Sequence, residues 1–467
     1  MYQTPPETRS RKKVFLSLIA LLIALSAVSS VLFTVFTHAS TAHAASDTHQ
    51  LVFKQYGKIH VALAQQGGTP PPTDTHCRTA SGFPCYSPQE IRNAYNVTPL
   101  IKAGYDGKGQ TIVLVDSFGS PTIASDLQTF DKGYGLPDPP SFKVLSPLGT
   151  VPFDSNNNDQ IGWAFETTLD VEWAHALAPG ANIVLLTSPV SETEGIQGLP
   201  EFLKLEQYAV QHKLGKIISQ SWGATGQTLS DTASKNVVAQ YESFYQQATT
   251  KSHVSFFASS GDSGASNVGL DGTTYYKFPT VIFPASSPYV TAVGGTSLYA
   301  STSGKYGSEV VWNDNQGGSG GGGISTLFAE PSYQTKNLST ANNTQLNGKR
   351  GIPDIAYNAD PRTSILVYLS AIPNAAAYYR IGGTSEGAPQ WAGLTADFNQ
   401  KAGHALGFLN PALYQLGNSK NYSSVYHDIT IGNNSANGVV GYHAAPGWDL
   451  TTGWGTPKAK QLADALS

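Results

Sequence analysis

From about Tyr86 onward, short runs of Val, Ile, Leu and Phe alternate with longer stretches in which apolar residues recur every three or four positions. The runs Thr111–Asp116, Asn182–Thr187, Lys216–Ser221 and Val254–Ser259 predict strands; Ile161–Leu177, Leu199–His212 and Thr232–Thr249 predict helices. The strand runs are almost continuously apolar, the pattern of a parallel sheet covered by helices on both faces. Their alternation with helices predicts an α/β fold with right-handed crossovers. Function in such sheets sits at the carboxyl ends of the strands. That rule singles out Asp116, then Ser221-Trp222-Gly223, then Ser260-Gly261-Asp262-Ser263-Gly264.

Upstream the pattern changes. A short alternating piece, Leu51 to Ala64, runs into Gln65-Gln66-Gly67-Gly68-Thr69-Pro70-Pro71-Pro72, which reads as a linker. Arg9, Arg11, Lys12 and Lys13 precede an apolar run from Val14 to Phe36, followed by Ala42-His43-Ala44. A basic start, an apolar core and a small-x-small site describe a secretory signal cleaved after Ala44; an uncleaved membrane anchor is the competing reading of so long a run. The expected organisation is a signal or anchor over 1–44, a short segment and linker over 45–85, and the main domain over 86–467. Either way the bulk of the chain is exported. The only two cysteines, Cys77 and Cys85, would then most simply form a short-loop disulfide. Two free thiols are the alternative.

Composition narrows the class. Of 467 residues 40% are apolar and 13% charged, with 47 Gly, 28 Pro and 23 Tyr. This excludes a disordered chain, a collagen-like rod and a coiled coil. One long apolar stretch excludes a polytopic membrane protein. The formal charge is -4; without residues 1–44 there are 24 Lys+Arg against 31 Asp+Glu, a net of -7, and no basic block points to nucleic acid. Gly317–Gly323 lacks the Gly-Lys-Ser/Thr ending of a phosphate loop and reads as a flexible or close-approach loop.

The sharpest chemical signal is Gly382-Gly383-Thr384-Ser385-Glu386-Gly387-Ala388-Pro389, just before a helical stretch from Gln390 to Phe398. Ser385 is either an exposed nucleophile near the positive end of a helix dipole or a helix N-cap. A nucleophile needs a base. Val113-Leu114-Val115-Asp116-Ser117 resembles the aspartate strand of subtilisin-type Ser-His-Asp proteases, yet none of the 11 histidines is followed by Gly, and His175 sits between alanines. The second option is Glu166 and Asp170, four apart on a helix, so that their carboxylates share a face. Trp163 and Trp173 flank them on nearly the same stripe, whereas Glu172 points elsewhere and reads as a surface residue. Like charge and partial burial should leave the pair holding a shared proton in acid.

These residues, taken with Ser221-Trp222-Gly223, Ala258-Ser259-Ser260-Gly261-Asp262-Ser263-Gly264, Phe283-Pro284-Ala285-Ser286-Ser287-Pro288, Val293-Gly294-Gly295-Thr296, Ser319-Gly320 to Ile324-Ser325, Pro353-Asp354-Ile355 and Ala359-Asp360-Pro361, make the chain similar to the sedolisin (serine-carboxyl) peptidases from about Tyr86 to Pro457. The resemblance implies a subtilisin-like α/β fold in which Ser385 is the nucleophile, Glu166 the general base, Asp170 its orienting partner and Asp262 a protonated oxyanion-hole acid. Asp116 matches a position that often carries an acid linked to the Glu–Asp pair. It further implies hydrolysis of peptide bonds in acid. Endopeptidase action is expected; the family also includes tripeptide-releasing exopeptidases.

A second constellation lies near the C-terminus, in His427-Asp428-Ile429-Thr430 and Ala445-Pro446-Gly447-Trp448-Asp449. Two aspartates on Gly-containing loops suit hard Ca2+, as many surface turns would. The resemblance implies one structural Ca2+ held by the carboxylates of Asp428 and Asp449 and the carbonyls of Ile429, Ala445 and Gly447. Ala445 stands where relatives tend to have Gly, which matters little for a main-chain ligand.

Two departures stand out. About forty residues lie between the expected signal and the catalytic start, where family members usually carry a folded pro-region of well over a hundred. Ile282 precedes the Phe-Pro-Ala motif, where some relatives carry an acid in the specificity pocket, so a basic P1 preference does not follow. The expectation is a secreted monomer acting on protein or peptide substrates. The alternatives are a Ser-His-Asp protease with a cryptic histidine base and a non-catalytic, calcium-stabilised surface-binding module.

Overall fold

The computed structural model describes residues 51, 54–56, 59–68 and 70–467. The expected signal or anchor, residues 1–44, lies outside them. Among the described residues no helix is long and apolar enough to cross a membrane.

The strand runs assemble the main sheet as their apolar composition requires. β4 (Thr111–Ser117) pairs in parallel with β6 (Asn182–Ser188) on one side and β7 (Ile217–Gln220) on the other; β5 (Phe142–Leu145) lies outside β6 and β9 (Ser255–Ser259) outside β7. Next to β9 comes β11 (Thr291–Ala300), which pairs in parallel with β15 (Ile355–Asn358) and antiparallel with β12 (Tyr306–Val311). The four strands expected from sequence are the central β9-β7-β4-β6 block. Alternate side chains of β4 enter opposite cores: Ile112 and Leu114 one, Val113 and Val115 the other. The expected parallel sheet with helices on both faces is therefore the observed one.

Of the three expected helices, that over Leu199–Gln211 is one residue shorter than expected, and Thr232–Ser252 runs three further. The helix carrying Glu166 and Asp170, the acid helix, spans Asn158–Leu177. It starts three residues early because the Asn157 side chain accepts hydrogen bonds from the amides of Asp159 and Gln160. The helix opened by the serine motif, the serine helix, spans Thr384–Ala402 and packs along the acid helix. Gly393 allows this close approach, since a Cβ there would lie 2.8 Å from the Leu177 Cβ and 3.0 Å from the Ala174 carbonyl.

Short antiparallel pairs, β8 (Ala224–Thr225) with β10 (Ile282–Phe283) and β13 (Gly323–Ala329) with β14 (Lys349–Ile352), brace the loops. A second sheet has the order β1 (Lys54–Tyr56), β2 (Ile59–Gln66), β17 (Ala377–Ile381), β16 (Ser364–Leu369), β3 (Cys85–Tyr86). β2 lies upstream of Tyr86, where the main domain is expected to begin, yet it belongs to the same compact unit as residues 83–467. Gln65 and Gln66, read as linker, end β2. Cys77 and Cys85 form the expected disulfide, with Cα atoms 5.8 Å apart.

Candidate active site

The chain reaches Ser385 through a tight passage. β17 ends at Ile381, and Gly382-Gly383 turn the chain into the serine helix. Gly383 has φ +124°, and a Cβ there would sit 2.6 Å from Asp262 Oδ2, so only glycine fits. A Cβ on Gly382 would meet the Ala359 carbonyl at the same distance. Ser385 thus lies in the first helical turn, 9% exposed, where the dipole favours developing negative charge.

The acid helix brings its carboxyl groups toward this elbow. Asp170 is fully buried, and its Oδ1 accepts a 2.7 Å hydrogen bond from the Ser221 hydroxyl. The same hydroxyl lies 3.4 Å from the main-chain oxygen of Ser385. Ser221, just past β7, therefore bridges the acid and serine helices. Burial pushes the Asp170 carboxyl well above the usual range; the charges of Asp116 and Glu166 push the same way, and the Ser221 hydrogen bond opposes them. Asp116, buried near the end of β4, is raised to about 7 by burial, with Thr167 opposing. Glu166 is half-buried one helical turn before Asp170. Asp116, Glu166 and Asp170 thus form one electrostatically linked acid group.

Two expectations about this helix need correction. Glu172 is not a surface residue: it is fully buried, its Oε2 accepts a 3.0 Å hydrogen bond from the Tyr368 amide, and burial raises its carboxyl well above the usual range. The two tryptophans do not form one wall. Trp163 packs on Phe202 in one core, whereas Trp173 packs on Phe130 in the other and donates to the Leu366 carbonyl. The helix is buried on nearly every side, so one amphipathic stripe was the wrong template. His175 is also buried; its Nε2 lies 2.8 Å from the Pro137 carbonyl, and burial lowers it to about 4. Among the described residues no hydrogen bond joins a histidine to the Ser385 hydroxyl.

Asp262 faces the elbow from the other side. Its exposed carboxylate accepts hydrogen bonds at Oδ1 from the Thr384 amide and hydroxyl, both 2.7 Å, and that hydroxyl accepts from the Gly261 amide at 3.0 Å. The glycine-rich loop supports this turn by close approach. The Ser319 amide donates to the Asp262 carbonyl and the Gly321 amide to that of Gly261. A Cβ on Gly321 would lie 2.1 Å from the Ser260 oxygen. In the sequence Thr384 and Ser221 stand out only as parts of motifs. Their polar side chains beside the serine and at a strand's carboxyl end were the available signal.

The C-terminal constellation also comes together. The Gly447 amide donates to both Asp428 oxygens, at 3.2 and 3.1 Å, and the Ala445 amide to Asp449 Oδ2 at 2.8 Å. Asp449 Oδ1 accepts from the amides of Thr451 and Thr452 and the Thr451 hydroxyl. Among the described residues no group of three or more His, Cys, Asp or Glu could hold a metal. Two carboxylates meet one loop, Ala445 to Asp449, and carboxylate oxygen is the donor type a hard cation takes.

A profile of the subtilase family matches residues 149–416. Kumamolisin from Bacillus sp. (strain MN-32) is 37% identical over 394 residues, covering 83% of this chain and 65% of that protein. Sedolisin from Pseudomonas sp. (strain 101) is 30% identical over 395 residues, covering 82% and 61%. Human (Homo sapiens) tripeptidyl-peptidase 1 is 30% identical over 321 residues, covering 64% and 51%. The chain therefore spans less than two thirds of the length of each of these relatives. Among solved structures, Pseudomonas sedolisin complexed with pseudo-iodotyrostatin matches with a TM-score of 0.68 at 28% identity, over 82% of this chain and 98% of that one. The chain belongs to the subtilase family, and within it to the sedolisins, the serine-carboxyl peptidases.

Proposed function

We propose that the protein is an exported serine-carboxyl endopeptidase that hydrolyses peptide bonds of proteins in acid. The observation that carries this reading is the Ser221 bridge, which ties buried Asp170 to the main chain of Ser385. In this reading the Ser385 oxygen attacks the scissile carbonyl carbon while Glu166 takes its proton. Asp170 shares a proton with Glu166 and fixes its orientation. Asp262, protonated and anchored on Thr384, donates a hydrogen bond to the oxyanion. Glu166 then returns its proton to the leaving amine, and water, activated by the same carboxylate, releases the acyl group from Ser385.

A carboxylate base explains the preference for acid, since free Glu titrates near about 4.3 and free His near about 6.5. The raised Asp116 and Asp170 keep protons in the site under such conditions. A histidine base is disfavoured by the burial of His175 against the Pro137 carbonyl. The carboxylates of Asp428 and Asp449, with the carbonyls of Ile429, Ala445 and Gly447, would hold one Ca2+, which when bound would cross-link two C-terminal loops without entering the chemistry.

The relative named tripeptidyl-peptidase 1 favours tripeptide release as the second reading. One experiment decides: a denatured protein incubated with the chain in acid, with products identified by mass spectrometry. Internal fragments support the endopeptidase, and N-terminal tripeptides alone support the alternative. Products that persist in Ser385→Ala contradict both.

A further inference from the structure

We propose that the N-terminal strands β2 and β3 form a clasp that positions Ser385, an inference that rests on the peptidase reading above. The second sheet is built from two separate parts of the chain. Its inner hairpin, β16 and β17, leads straight into the nucleophile, and both strands flanking that hairpin come from the N-terminal segment. β2 pairs antiparallel with β17, placing Ala62 opposite Arg380 and Gln66 opposite Ala377, and the Gly67 amide donates to the Ala376 carbonyl at 3.0 Å. On the other edge β3 pairs in parallel with β16, Cys85 opposite Ser364.

A second observation points the same way. Arg380, five residues before Ser385, is 2% exposed, and its guanidinium donates to the carbonyls of Phe83 and Pro84. A buried cation on the strand that leads to the nucleophile is thus partly satisfied by the N-terminal segment, and without those carbonyls it would need other partners. Asp74 accepts from the Cys85 amide, and the Cys77–Cys85 disulfide closes the connection, fixing where those carbonyls point. β17 also touches the acid helix: Tyr379, opposite Leu63, packs edge-on against Phe165, the neighbour of Glu166. The clasped strand therefore bears on both Ser385 and Glu166, and loosening it moves nucleophile and base relative to each other.

The test uses the full chain with a peptide substrate in acid. Leu63 is 58% exposed, so Leu63→Pro disturbs the ladder and removes no core side chain. Leu63→Thr is the control, and Leu63→Gly a milder companion if the proline variant does not fold. We expect kcat to fall by about tenfold or more in Leu63→Pro with KM within about twofold of wild type, a smaller fall of the same kind in Leu63→Gly, and no change in Leu63→Thr. An unchanged kcat in folded Leu63→Pro or Leu63→Gly overturns the clasp, and so does a raised one, which would mark β2 as a shield over the site. Wild type lacking serine-dependent turnover is a different failure, that of the peptidase reading itself.

Discussion

The Ser221 hydroxyl donates to Asp170 at 2.7 Å, the only hydrogen bond the buried Asp170 carboxylate receives among the described residues. Its other oxygen has no partner there. Removing this donor should therefore disturb the acid group more than an ordinary serine-to-alanine change. Ser221→Ala is expected to lower kcat by about tenfold and to destabilise the fold by about 1–3 kcal/mol. Steady-state kinetics together with thermal melting checks both.

Asp262 should matter to the transition state rather than to folding, because its carboxylate is exposed and its turn is held by main-chain bonds. Asp262→Ala is expected to lower kcat by about 10²–10³ with little change in melting temperature. Gly383→Ala should cost both, since the new Cβ meets Asp262 Oδ2 in a backbone conformation that alanine avoids. Comparing the two variants by kinetics and calorimetry separates oxyanion stabilisation from the shape of the elbow.

Stability should decline as pH rises. Burial raises Asp116 and Glu242 to about 7 and Asp131 to about 8, and lifts Asp170, Glu172, Glu206, Glu386 and Asp397 well above the usual carboxylate range. A carboxyl group whose folded pKa exceeds its unfolded value of about 4 contributes its full stability below that value and loses it as pH rises through the folded pKa. The window is therefore about pH 4 to about pH 8. His175, lowered to about 4, and His427, lowered to about 3, work in the opposite sense and lose their contribution as pH falls from about 6.5. Eight acids against these two histidines predict a melting temperature highest in mild acid. Glu172→Gln should flatten the decline, and melting curves across the window check it.

Calcium should act on stability through the C-terminal loops. Chelation is expected to lower the wild-type melting temperature, whereas Asp449→Ala should start lower and respond little to chelator or added Ca2+. Asp428→Asn should show the same loss of response. Equal responses in variant and wild type would remove the site from these residues.

Much of the fold could be read from sequence because β4, β6, β7 and β9 are apolar on both faces and the intervening helices keep a regular period. The N-terminal strand β2 was harder to read. Its partner, β17, lies some three hundred residues away, and its Gln65-Gln66 end merges with a Gly/Pro tract that looks like linker. Glu172 was misread for a related reason. An acid on a helix reads as exposed unless both faces of that helix are known to be covered, and only packing by β16 reveals this. The glycine-rich loop could be narrowed to close approach only once Ser260 and Gly261 were seen against it.

In the proposed mechanism a carboxylate group, not a histidine, activates Ser385. The most direct test is the pH dependence of kcat/KM for wild type, Glu166→Gln and Ser385→Ala on one peptide substrate with Ca2+ present. A wild-type optimum in acid, with activity abolished in Ser385→Ala and reduced by at least about 10³ in Glu166→Gln, is the predicted result. A wild-type optimum at or above neutrality, with Glu166→Gln still active, would contradict it.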